Sequence, residues 1–131
     1  MGYDFHITRA SDWSQNATAK IAAEEWLAIV EADAELSLAP RNGPYFANWS
    51  GPSKLPEPWL DWFDGNVYTK APDSALLQKM VRIATVLNAQ VQGDEGEVYR
   101  GDEPLDETGR LGVERGRDRK GNSWWRRLTG G

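Results

Sequence analysis

The chain is predicted to fold as an α+β domain in which an antiparallel sheet carries two helices on one face. This is an elaborated split β-α-β arrangement with an extended basic C-terminal tail. Three observations predict it. Tyr3-Asp4-Phe5-His6-Ile7 alternates apolar and polar residues, the period-two signature of a half-buried strand. Asp64-Gly65 separates two apolar runs, and this dipeptide suits a two-residue hairpin because both of its positions need positive φ. Apolar residues also recur at helical spacing in two separate segments.

The elements follow in order. Tyr3, Phe5 and Ile7 point toward the helices, and Asp4, His6 and Thr8 toward an open sheet face. Ser11 to Asn16 is a polar connector, and Thr18 is placed as the N-cap of a helix running to about Ala32 with a stripe of Ile21, Trp26, Ile29 and Val30. A short alternating run at Glu35 to Ala39 and a strand at Tyr45 to Ser50 flank the turn residues Arg41-Asn42-Gly43-Pro44. Gly51 to Pro58 holds three prolines, which remove ladder donors, so it reads as an irregular loop able to rim a site.

The hairpin pairs Trp59–Phe63 with Asn66–Lys70. In the two-residue register Phe63 faces Asn66, Trp62 faces Val67 and Asp61 faces Tyr68. Leu60, Trp62, Val67 and Thr69 then share one face, and Trp59, Asp61, Phe63, Asn66, Tyr68 and Lys70 share the other. Asp73 caps a second helix with a broad apolar face from Leu76 to Leu87, ending near Asn88-Ala89. Two short strands, Gln90 to Gln92 and Glu97 to Arg100, flank the loop Gly93-Asp94-Glu95-Gly96.

Residues 1–100 thus make one compact domain. Residues 101–131 are rich in Gly and charge, hold few large apolar residues and end in a Trp-Trp-Arg-Arg segment, so they are expected to be extended. Charge divides the same way. Residues 1–109 hold 8 Lys/Arg against 18 Asp/Glu, a net of −10, whereas residues 110–131 hold 7 against 2, a net of +5. An acidic body repels nucleic acid and anionic membrane and speeds encounter with a basic partner. Attraction of the tail to the body explains its charge better than nucleic-acid or membrane-surface binding does, although that binding remains a reading with its own test, loss on truncation after Gly109.

The 131 residues contain no cysteine, which removes disulfides, thiolate nucleophiles and thiolate metal sites and favours a cytoplasmic setting. The N-terminus lacks the basic and apolar regions of a secretory signal, and no apolar stretch approaches the roughly 20 residues of a membrane span. With a single histidine, His6, the tripeptide His6-Ile7-Thr8 matches only half of a two-histidine phosphoesterase, and a Ser-His-Asp triad would depend on that one residue. The carboxylates of Asp94, Glu95 and Glu97 lack calcium-loop spacing and read as an acidic hairpin tip, so neither a metal nor a cofactor is expected.

Aromatic content is the stronger signal. Tyr45, Trp49, Trp59, Trp62, Phe63 and Tyr68 fall within 24 residues, more than one hairpin can bury beneath two helices. Exposed Trp and Tyr flanked by acids suit a protein hot spot or a sugar-stacking platform. The partner-binding surface is therefore placed at Trp49, Trp59, Asp61, Phe63, Asp64, Tyr68, Asp94, Glu95 and Glu97. The open face around Asp4, His6 and Thr8, with Asp61 and Tyr68, is the alternative, as a small hydrolase or carbohydrate-binding module.

The stretches Tyr3-Asp4-Phe5-His6-Ile7-Thr8-Arg9-Ala10, Asp64-Gly65-Asn66-Val67-Tyr68-Thr69-Lys70 and Val91-Gln92-Gly93-Asp94-Glu95-Gly96-Glu97-Val98-Tyr99 resemble those of a group of small, uncharacterised bacterial cytoplasmic proteins. The likeness covers about residues 1–100 and brings no catalytic residue with it. In size, acidity and lack of catalytic motifs the chain is also similar to immunity proteins that neutralise polymorphic toxins. It implies a non-catalytic cytoplasmic binder of a basic toxin or effector.

Overall fold

The computed structural model describes residues 3–101; the expectations for the basic tail lie outside them. The period-two run at the start forms β1 (Asp4–Thr8), with Phe5 and Ile7 fully buried. The first helix, α1 (Ala23–Ala32), has Ala22 as its N-cap and so begins four residues later than a cap at Thr18 would start it. Ile21 is held extended instead, its N–H donating to the Gly65 carbonyl at 2.9 Å, which draws residues 17–20 into a turn against the hairpin. Ala22 has no side-chain oxygen to cap the helix, and Glu25 Oε1 accepts the Ala22 N–H at 2.9 Å.

Strands β2 (Leu36–Leu38) and β3 (Ala47–Trp49) pair across the Asn42-Gly43 turn, both shorter than their alternating runs. Strands β4 (Trp59–Phe63) and β5 (Asn66–Lys70) form the hairpin with the expected register, Asp61 opposite Tyr68, Trp62 opposite Val67 and Phe63 opposite Asn66. Asp64 and Gly65 take φ of 50° and 92°, the positive pair such a turn demands. The second helix, α2 (Ser74–Val86), is capped by Asp73, whose side chain accepts the Leu76 N–H at 3.0 Å. Asn88, with φ of 58°, ends it in the left-handed conformation that asparagine tolerates. Strands β6 (Gln90–Gly93) and β7 (Val98–Tyr99) complete the chain.

All seven strands join one antiparallel sheet in the order β2-β3-β4-β5-β1-β6-β7. Because β5 is antiparallel to both β4 and β1, the strands β1 and β4 run parallel with β5 between them. By the same reasoning β5 and β6 run parallel with β1 between them. These are two interlocked split β-α-β units, and both helices pack on the same face, as right-handed crossovers would place them. One core records this: Trp26 and Val30 of α1 and Leu76, Leu77, Met80 and Ile83 of α2 pack with Phe5, Ile7, Leu60, Val67 and Val91 of the sheet. Lys79 joins that buried layer, its ammonium contacting Asp33 Oδ2 at 2.5 Å and Glu35 Oε1 at 3.2 Å.

Candidate functional site

The face of the sheet turned away from the helices divides into a covered half and an open half. On the β1–β6 side the outward side chains are polar, and the connector after β1 supplies backbone groups for its amides. Gln92 Oε1 accepts the Trp13 N–H at 2.8 Å while its Nε2 donates to the Ser11 carbonyl at 2.8 Å. Asn66 Nδ2 donates to the Trp13 carbonyl at 2.9 Å. Clamped on both sides, Trp13 lays its indole flat on the His6 imidazole, with ring centroids 3.7 Å apart and planes within 6°.

The open face expected at Asp4, His6 and Thr8 is therefore corrected. His6 is 6% exposed and Thr8 fully buried, because the connector lies across them and leaves only Asp4 half-buried at the margin. His6 Nε2 meets Asp94 Oδ1 at 2.9 Å, and the other Asp94 oxygen accepts the Asp4 N–H at 3.0 Å. Burial lowers the His6 pKa below its ordinary value against the pull of Asp94.

The open half lies on β4 and β5. Phe46, just before β3, stacks on Trp59 at 5.0 Å, and Trp59 meets Tyr68 edge-on at 5.5 Å. Phe63 at the end of β4 is 70% exposed. Asp61, opposite Tyr68, accepts a hydrogen bond only from the Trp62 N–H beside it, and no cation pairs with it among the described residues. Burial raises its pKa, and burial together with the Asp61 charge raises that of the Tyr68 hydroxyl. A cleft of about 690 Å³ runs from Phe46 and Trp59 along Leu55, Pro56, Glu57 and Pro58 to Lys70, so the proline loop does form a rim. A second cleft of about 500 Å³ separates α1 from α2; neither is lined by His6, Asp61 or Tyr68.

The remaining residues of the expected surface fall in different places. Trp49 does not belong to it: at 3% exposure it is in the core, with its indole N–H donating to Glu35 at 2.9 Å. Its ring also crowds Gly51, where an added Cβ would come within 2.1 Å of it. Asp64 is on the surface, paired with Lys20 at 2.5 Å, and its carbonyl accepts from Asn16 at 2.9 Å. Asp94 and Glu95 are exposed at the β6–β7 turn, away from the aromatic shelf. Glu97 turns inward to accept hydrogen bonds from the hydroxyls of Tyr3 and Tyr99, and burial raises its pKa.

Two residues of this face escape sequence reasoning, Trp13 and Phe46. Trp13 is the lone large apolar side chain in the polar connector Ser11 to Asn16, which is a signal for docking. Phe46 precedes β3 in a segment whose alternation does not show which face it takes.

No family model, no curated protein and no solved structure matches this chain. Chemistry must then be read from the geometry. No helix among the described residues is long and apolar enough to cross a membrane. The shelf offers ring faces and edges, an underused carboxylate and a phenol, a set that attracts a cation carried on an apolar stem.

Proposed function

We propose that the chain is a non-catalytic protein-binding protein of immunity type, which uses the Phe46-Trp59-Tyr68 shelf to hold a basic side chain of its partner against Asp61. The observation that carries this reading is Asp61 itself. Its carboxylate is half-buried between two strands and, among the described residues, takes a single hydrogen bond, from its own chain neighbour, and no ion pair, so an incoming guanidinium gains a charge-assisted contact there. The aromatic rings beside it supply cation-π attraction and apolar area for the stem of that side chain.

Charge supports the same partner class. Residues 3–101 hold 8 Lys/Arg against 14 Asp/Glu, a net of −6, which accelerates encounter with a basic toxin or effector in a cytoplasmic setting. The partner's basic group is the one the shelf accepts; a sugar is the second reading, favoured by the Phe46–Trp59 stack beside Asn42 and Glu57 in the cleft.

The test is capture of a partner from a bacterial lysate on the intact chain and on three variants. Trp59→Ala and Asp61→Asn are each expected to weaken retention about tenfold, roughly 1.4 kcal/mol. Val86→Ala, on the exposed surface of α2, is expected to leave it unchanged. Retention equal in all three variants would refute the shelf as the contact surface. Elution by free sugar, with no effect of Asp61→Asn, would transfer the site to the carbohydrate reading.

A further inference from the structure

Asp4, His6 and Asp94 come from opposite ends of the described chain, yet the β1–β6 pairing brings one ligand atom of each within 4.8 Å of the others. Besides the His6–Asp94 hydrogen bond itself, contacts from Trp13 and the backbone hold the arrangement. The stacked indole of Trp13 sets the plane of the His6 ring, the Trp13 indole N–H donates to the Asp94 carbonyl at 3.1 Å, and the Asp4 N–H holds Asp94 Oδ2. Asp4 and His6 stand two residues apart on one strand and so project to the same side.

We propose that Asp4, His6 and Asp94 form a binding site for a divalent transition ion such as Zn²⁺, with a coordination position left open to solvent at the margin of the sheet. The chemistry of the set fits: one imidazole and two carboxylates, whose two negative charges offset those of a dication. Two ligands about 2.0–2.1 Å from one tetrahedral ion stand about 3.3 Å apart, so His6 Nε2 and Asp94 Oδ1, hydrogen-bonded at 2.9 Å, need to part by only a few tenths of an ångström to share an ion.

A cation already occupies part of the site. The Lys70 ammonium lies 3.2 Å from Asp4 Oδ1, and with its side chain 57% exposed it can withdraw into water when an ion enters. Asp4 and Asp94 are 27% and 37% exposed at their side chains, which leaves a path to the ligand atoms, while His6 is shielded from other solutes by Trp13. Three protein ligands and an open fourth position is the pattern of zinc sites that accept a water or an outside group.

The experiment is calorimetric titration of the full chain with Zn²⁺, paired with NMR observation of the histidine ring. The chain has one histidine and no cysteine, so an imidazole signal reports His6 alone and no thiolate competes. One ion per chain is expected, with a shift of the His6 ring resonances. His6→Ala and Asp94→Asn should each weaken binding by at least about tenfold, as should Asp4→Asn. Lys70→Met should tighten it several-fold by removing the competing ammonium, an effect that a merely folding-linked change would not produce. No binding, or binding equal in His6→Ala, overturns the proposal. Because the probe is the ion and not a protein, this result is independent of the outcome at Asp61.

Discussion

The imidazole of His6 and the indole of Trp13 lie parallel, 3.7 Å apart, and that stack decides which half of the sheet is available to a partner. Trp13 is brought there by side chains of Gln92 and Asn66 that would otherwise be outward-facing amides on a bare sheet. Trp13→Ala should lower stability by about 1–3 kcal/mol, below the range of a fully buried tryptophan because this one is half-exposed. Trp13→Phe should recover part of the loss by restoring a ring over His6. Urea denaturation of the two variants measures both.

Glu97 can fold inward only because residue 93 lacks a side chain. A Cβ on Gly93 would stand 2.2 Å from Glu97 Oε2 and 2.8 Å from Tyr3 Cε2. Gly93→Ala should therefore destabilise the chain by about 1–3 kcal/mol. In a Glu97→Ala background the same change should cost less, and a double-mutant cycle reads the coupling directly.

Burial holds the Glu97 carboxyl above its ordinary pKa, with its Oε1 accepting no hydrogen bond among the described residues. A carboxyl raised on folding contributes stability that is fully present below its unfolded pKa, about 4.3, and is lost as pH rises through the folded value. Glu97→Gln removes that dependence. Relative to wild type, the variant should gain stability as pH rises from about 4 to 7, and a constant difference across that range would count against a buried, raised carboxyl.

Asp73 serves two segments at once. One oxygen caps α2 at the Leu76 N–H, and the other accepts from the Lys54 N–H at 2.7 Å and the Ser53 hydroxyl at 2.9 Å, tying the proline loop to the helix start. Asp73→Ala should cost about 1–2 kcal/mol in chemical denaturation. Asp73→Asn should cost less, since its oxygen can still cap.

The hairpin and the second helix are legible in the sequence because their signals are local: Asp64-Gly65 determines the turn and hence the register of β4 against β5, and Asp73 precedes an unbroken apolar period. The start of α1 is not legible, since Thr18 is a sound local cap and only the tertiary hydrogen bond from Ile21 to Gly65 excludes it. The site is legible in part for the same reason. Alternation places Trp59, Asp61 and Tyr68 on one face, yet nothing local reveals that Trp13 roofs His6, that Trp49 turns into the core, or that Phe46 extends the shelf. Lys79 is likewise hidden, because its burial depends on Asp33 and Glu35 arriving from the far end of α1.

The most direct test of the aromatic and acidic shelf is titration of the isotope-labelled full chain with a short arginine-rich peptide, followed by NMR. The account predicts that the Trp59 indole N–H, the Tyr68 ring and the Asp61 carboxyl shift together, and that Asp61→Asn suppresses these shifts about tenfold in affinity. Shifts spread over the exposed acids at Glu57, Asp94 and Glu95 with Trp59 and Tyr68 unmoved, or unaltered by Asp61→Asn, would contradict it.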